Sequence, residues 1–78
     1  MKTLLDEWND FANSVLPPDC SRVQRQEMRR AFYAGAKVML GLMSDLADEF
    51  DEDAGAQQVE KLNQELSRFN DDVQGGRA

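Results

Sequence analysis

The sequence predicts an all-α fold in which a short N-terminal helix packs on an antiparallel hairpin of one long and one medium helix, a three-helix bundle. Apolar residues recur at helical spacing in three segments. Two breaks, one at Pro17-Pro18 and one near Gly55, separate these segments. We expect helices over about residues 3–16, 22–52 and 56–73 of a single helical domain, followed by a frayed tail at 75–78.

The first helix has a clear start and a clear end. Thr3 can cap it with its hydroxyl group, and Asp6 favours the positive first turn. Pro17-Pro18 ends it, because proline lacks an amide hydrogen and restricts the residue before it. The apolar positions between these limits are Leu4, Leu5, Trp8, Phe11, Ala12, Val15 and Leu16.

The second helix is long and bears a nearly heptad-spaced seam. Ser21 and Gln24 form a capping-box pattern at its start. The seam consists of Met28, Phe32, Gly35, Met39, Leu42, Leu46 and Phe50. Gly35 costs about 1 kcal/mol of helix propensity relative to alanine. We expect close approach of another helix to offset this cost, with Trp8 or Phe11 filling the notch at Gly35.

The third helix has the most regular periodicity. A turn at Asp53-Ala54-Gly55 precedes it, and Gly75-Gly76 ends it. Its apolar positions step by three and four residues: Val59, Leu62, Leu66, Phe69 and Val73.

Apolar residues of the segment 28–43 lie on more sides of the second helix than packing against one other helix requires. Met28 to Met43 contains only Arg29, Arg30 and Lys37 as charged residues. A helix that is apolar on most sides is usually buried on more than one of them, and a chain of 78 residues has a thin core. We therefore predict a homo-oligomer whose interface contains Ala31, Gly35, Val38, Met39 and Leu42. The alternative is that the first helix covers this surface.

Composition excludes several functional classes. The chain has no histidine and a single cysteine, Cys20, so it lacks the usual general base and the usual zinc ligands. We expect no enzymatic activity, no cofactor and no metal site. Fifteen acidic and nine basic residues give a net charge of −6, which argues against direct DNA binding. No segment contains the roughly 20 consecutive apolar residues of a membrane span, and we expect an intracellular protein.

Two charged surfaces are candidate binding sites. A basic stripe of Arg25, Arg29, Arg30, Tyr33 and Lys37 could grip a small anionic nucleotide, because arginine binds phosphate in bidentate fashion. Alternatively, these arginines pair with Glu27, Asp6 or Asp10 of the same chain.

The second candidate is an acidic face formed by Asp45, Asp48, Glu49 and Glu52, which could occupy the cationic groove of a host protein. A solvated helix end is the ordinary alternative.

The segment VQRQEMRRAFYAGA, residues 23–36, resembles short uncharacterised proteins encoded by tailed bacteriophages. The similarity includes the preceding tryptophan-bearing helix and proline turn, DEWNDFANSVLPPD, and covers roughly the first 45 residues. The resemblance implies a small phage accessory protein in the cytoplasm of an infected host, similar in kind to counter-defence proteins. We expect a non-enzymatic protein that sequesters a nucleotide signal. The alternatives are an acidic inhibitor of a host nucleic-acid-binding complex, similar to an anti-CRISPR mimic, and a self-assembling structural or regulatory phage protein.

Overall fold

The computed structural model describes all 78 residues and contains three helices and no strand. These are α1 (Leu4–Val15), α2 (Arg22–Glu49) and α3 (Glu52–Gln74). They hold 81% of the residues, which confirms the prediction of an all-α fold. None of the three combines the length and the apolar character that crossing a bilayer would require.

Helix α1 begins with the predicted cap. The Asp6 amide donates to the Thr3 hydroxyl at 3.1 Å, and the Thr3 amide donates to the Asp6 carboxylate at 2.9 Å. This reciprocal capping box satisfies two amides that have no partner within the helix. Helix α1 ends at Val15, and the Leu16 amide bonds the Ala12 carbonyl.

A short turn after Pro17-Pro18 leads into α2. The Cys20 amide donates to the Pro17 carbonyl at 3.1 Å, which closes this turn. The Gln24 amide then donates to the Ser21 hydroxyl at 3.0 Å, so Ser21 caps α2 as its sequence position predicted.

The turn between α2 and α3 lies earlier than predicted. Helix α2 ends at Glu49, and Asp51 caps α3 by accepting a hydrogen bond from the Ala54 amide at 2.8 Å. Residues 53–55, the predicted turn, therefore form part of the first turn of α3. An aspartate cap sets this helix start, whereas Gly55 is accommodated inside the helix.

Backbone hydrogen bonds close the end of α3 within the segment that the sequence predicts to fray. Gly76 adopts a left-handed conformation with φ of 74°, and its amide bonds the Val73 carbonyl. The Arg77 amide bonds the Asp72 carbonyl at 2.7 Å, which completes a Schellman motif. The Arg77 side chain also donates to the Asp72 carboxylate at 3.1 Å.

The chain divides into two compact units, unit 1 (Met1–Leu40) and unit 2 (Gly41–Ala78). Unit 1 contains the only buried residues: Trp8, Ala12 and Leu16. Side chains from the first half of α2 pack against them, together with Phe11 and Cys20.

The predicted notch at Gly35 is not filled. A methyl group placed on Gly35 would have no neighbour within 4 Å. Trp8 and Phe11 instead lie against Phe32, one turn earlier on α2. A large aromatic side chain offers more contact area than a glycine, which explains why α1 packs there.

Unit 2 has no buried residue. The end of α2 and the start of α3 do approach one another, because a methyl group on Gly55 would lie 4.0 Å from the Leu46 carbonyl oxygen. Leu46 and Leu62 are half-buried, but most of the other apolar residues of α3 are exposed.

Candidate functional site

An aromatic cluster forms the floor of the candidate site in unit 1. The Trp8 side chain is buried, at 3% exposure, and its ring centroid lies 5.8 Å from Phe11 and 5.6 Å from Phe32. Phe32 lies in turn 5.8 Å from Tyr33 in an edge-on arrangement. Such pairs add about 0.5–1.5 kcal/mol beyond burial, so this cluster fixes α1 on α2.

The acidic side chains of α1 have partners on their own segment. Lys2 Nζ lies 2.7 Å from Asp10 Oδ2 and 3.1 Å from Glu7 Oε1, while Asp6 is used in the helix cap. The hydrogen bond to Asp10, followed by that to Glu7, raises the pKa of Lys2 above its ordinary value. These carboxylates are therefore engaged within their own segment and form no ion pair with the arginines of α2.

Three arginines of α2 consequently have no acidic partner. No carboxylate oxygen lies within 4.0 Å of Arg22, Arg25 or Arg29. Only Arg30 pairs with Glu27, at 3.6 Å between two exposed side chains. The suggested pairing of the basic stripe with Asp6 and Asp10 is absent. Three positive charges close together raise the free energy of unit 1 unless an anion lies nearby.

Aromatic rings position two of these guanidinium groups. Arg25 Cζ lies 5.8 Å from the centre of the Trp8 ring, and Arg29 Cζ lies 5.9 Å from the centre of the Tyr33 ring. Both distances are within the roughly 6 Å range of cation–π attraction. A guanidinium that rests on a ring loses less freedom when it binds a ligand, so the site is partly pre-organised.

Two neighbouring clefts run along this basic surface. The larger measures about 400 Å³, and the smaller about 300 Å³. Arg29 and Gln26 border both clefts. Leu5, Trp8, Asn9, Arg22 and Arg25 complete the first cleft, and Arg30 and Tyr33 complete the second. The volumes lie at the lower end of the roughly 300–1,000 Å³ range of small-ligand pockets.

The clefts bring together most of the predicted basic stripe. Arg25, Arg29, Arg30 and Tyr33 all line one cleft or both, whereas Lys37 lines neither. Sequence reasoning did not select Asn9 or Gln26 for the site. Gln26 could have been found, because it lies four residues from Arg22 and three from Arg29 and so shares their helix face.

The predicted acidic face lies in unit 2. Asp45, Asp48 and Glu49 are exposed in the last two turns of α2, and Glu52 is exposed at the first position of α3. None of the four forms an ion pair. Carboxylates at a helix C-terminus oppose the helix dipole, so three of them destabilise the end of α2.

The predicted oligomer surface on α2 is largely solvent-exposed. Val38 is 64% exposed and Leu42 is 41% exposed. Ala31 and Gly35 are also exposed, whereas Met39 is half-buried. Helix α1 therefore does not cover this surface.

The basic and aromatic surface of unit 1 is thus an open pair of clefts in which Arg22, Arg25 and Arg29 have no acidic partner. Comparison of the chain with protein-family models, with curated proteins and with solved structures gave no match.

Proposed function

We propose that the chain is a non-enzymatic binding protein that sequesters a small phosphate-bearing ligand, such as a nucleotide signal, in the clefts of unit 1. The observation that carries this proposal is the set of three arginines without acidic partners, two of which lie over aromatic rings. Charge-assisted hydrogen bonds from guanidinium to phosphate are about twice as strong as neutral ones.

The chemistry of the clefts favours a nucleotide over a simple anion. Arg22, Arg25 and Arg29 supply positive charge, and the Asn9 and Gln26 amides can both donate and accept hydrogen bonds. Tyr33 adds an aromatic ring at the second cleft, on which a base could stack. A phosphate and a base would thus find different partners along one surface.

The resemblance of residues 23–36 to tailed-phage proteins supports an infected bacterium as the setting for this activity. In that setting, binding of a nucleotide signal without turnover would deplete it and antagonise a host process. We therefore propose a counter-defence role for a phage accessory protein.

Calorimetric titration tests the ligand. Inorganic phosphate, mononucleotides and a panel of cyclic nucleotides should be titrated into the protein at low salt. We expect a nucleotide to release heat and to bind more tightly than phosphate. The absence of heat with every ligand would refute the proposal.

Matched substitutions test the site. Arg25→Gln and Arg29→Gln each remove one guanidinium, and each should weaken binding by about tenfold or more, since a hydrogen bond to a charged group contributes roughly 1.5–3 kcal/mol. Arg68→Gln makes the same change in charge on α3 at a residue that lines neither cleft, and it should leave the affinity unchanged. Equal effects from all three variants would mean that net charge, rather than the clefts, determines binding.

An acidic protein-binding surface is a second candidate function. Asp45, Asp48 and Glu49 oppose the dipole of α2, and no basic residue lies in its last turn. A cationic partner that neutralised them would offset this cost. The variant Asp45→Asn/Asp48→Asn/Glu49→Gln should raise the thermal stability of α2 while abolishing capture of a basic protein at low salt. Capture that is unaffected by the variant or by high salt would contradict this candidate.

A further inference from the structure

The C-terminal two-thirds of α3 presents an apolar stripe that nothing in the chain covers. We propose that a second copy of this chain covers it, so that the protein is a homodimer joined through α3. The α3 stripe consists of Val59, Leu66, Phe69 and Val73, whose exposures are 40%, 57%, 60% and 47%. Sequence reasoning placed the oligomer interface on α2 and did not select these residues.

The spacing of the stripe is that of a helix-pairing seam. Together with the half-buried Leu62, its members step by three, four, three and four residues, and none of the five positions is charged. This alternation matches the a and d positions of a coiled coil, which a second helix covers with its own a and d residues.

Unit 2 is too small to be stable with this surface open to water. It extends from Gly41 to Ala78 and has no buried residue. Domains below about 40 residues usually require disulfides, metals or oligomerisation. Unit 2 contains neither cysteine nor histidine, so oligomerisation is the remaining source of stability that its composition favours.

The area of exposed surface fits an obligate dimer. The chain exposes 6641 Å² for a mass of 8.8 kDa. A folded monomer of this mass exposes about 4,800 Å², so the excess is about 1,900 Å². Obligate homodimers bury roughly 2,000–5,000 Å² in total, or about 1,000–2,500 Å² from each copy. The area that one such interface buries is therefore comparable to the excess, which is spread over the whole chain and includes the α3 stripe.

The charge of unit 2 gives the dimer a distinctive salt dependence. Unit 2 carries ten acidic and three basic residues, so two copies repel one another. Salt screens this repulsion, and the dimer should become tighter as ionic strength rises. A cationic partner protein bound to the same surface would show the opposite dependence.

Sedimentation equilibrium over a range of protein concentrations tests the interface with two matched variants. Leu66→Glu places a charge in the α3 stripe, whereas Gln64→Glu places the same charge on the opposite side of α3. Leu66→Glu should weaken dimerisation by about a hundredfold or more, because a twofold dimer loses two buried leucines. Gln64→Glu should weaken it only slightly, through added repulsion.

Trp8 provides a control for folding of the variant. It is the only tryptophan and lies in the core of unit 1, so its emission should be the same in Leu66→Glu and in the native chain. Hydrogen exchange of the native protein supplies a readout that needs no variant. The amides of residues 59–73 should exchange more slowly as the protein concentration rises.

Three results would overturn the proposal. These are a chain that stays monomeric at every concentration, a dimer that both variants weaken equally, and exchange of residues 59–73 that is independent of concentration. The ligand clefts lie in unit 1 and can bind a nucleotide with or without this dimer, so each proposal can fail while the other holds.

Discussion

Each helix starts at a residue whose side-chain oxygen accepts a backbone hydrogen bond from three residues further on. Thr3, Ser21 and Asp51 make these contacts at 3.1, 3.0 and 2.8 Å. A cap of this kind contributes about 0.5–2 kcal/mol, a large share of the stability of a chain with only three buried residues. Short polar side chains thus fix the helix boundaries more strongly than core packing does.

The loss of one cap should measurably lower the free energy of unfolding. Ser21→Ala should lower the free energy of unfolding by about 1 kcal/mol, because the Gln24 amide loses its partner. Ser67→Ala, in the interior of α3, should instead leave it unchanged or raise it slightly, since alanine is the better helix former. Urea denaturation compares the two, and equal losses would mean that Ser21 does not act as a cap.

The ion pairs of Lys2 should stabilise α1 at neutral pH, and this stabilisation should be lost at high pH. The pKa of Lys2 is raised in the folded chain, so its contribution is fully present below its unfolded pKa of about 10.5 and is lost as pH rises through the folded pKa. The melting temperatures of the native chain and of Lys2→Met should therefore converge as the pH rises through the folded pKa of Lys2. Comparison with the variant removes every contribution that the two proteins share. A difference that persists unchanged at high pH would contradict the role of these contacts.

At the scale of the elements, α2 contains two glycines that no neighbouring atoms require. Its interior holds Gly35 and Gly41, and a methyl group on either would meet nothing within 4 Å. Neither glycine has a positive φ. Both therefore cost helix stability without allowing a close contact.

Replacement of these glycines should stabilise the chain. Gly35→Ala and Gly41→Ala should each raise the free energy of unfolding by about 0.5–1 kcal/mol, measured by urea denaturation. The pair also tests the oligomer interface predicted on α2, which includes Gly35 but not Gly41. If Gly35→Ala alone destabilised the protein or its oligomer, a partner would have to approach Gly35 closely.

The helix limits that could be predicted from the sequence are those set by residues that act on the adjacent backbone. The limit that could not be predicted depends on which side chain the fold selects as a cap. Thr3, Pro17 and Ser21 act on adjacent backbone, so the limits of α1 and the start of α2 could be predicted. The start of α3 could not, because several neighbouring acidic residues are equally able to cap a helix and only the fold selects Asp51.

In the candidate site, too, helical spacing could be predicted from the sequence, whereas side-chain partners could not. Helical spacing predicted that Arg25, Arg29 and Tyr33 share one surface, as they do along the clefts. The partners of the acidic residues in α1 could not be predicted, because they depend on Lys2 folding back over the first turns of the helix.

At the scale of the whole molecule, the two units differ in how their stability arises. Unit 1 has an aromatic core with a buried tryptophan, whereas unit 2 has no buried residue and a large exposed apolar stripe. Cooperative unfolding requires that one unit stabilise the other. If a second copy covers the α3 stripe as proposed, the stability of unit 2 should vary with protein concentration.

Unfolding should therefore proceed in two stages. As denaturant is added to a dilute sample, helical circular dichroism should begin to fall before the emission of Trp8 changes, because the whole of α3 lies in unit 2 and Trp8 lies in unit 1. The two transitions should approach one another at high protein concentration. Coincident curves at every concentration would indicate a single cooperative unit.

The alkylation rate of Cys20 should report on the opening of the turn between α1 and α2. Cys20 is the sole thiol of the chain, it is half-buried against the aromatic core, and its amide is held by the Pro17 carbonyl. Opening of this turn would expose the thiol further, so the rate of its alkylation by a maleimide should rise with the frequency of opening. A phosphate-bearing ligand that stiffened unit 1 would slow that reaction without touching the sulfur itself.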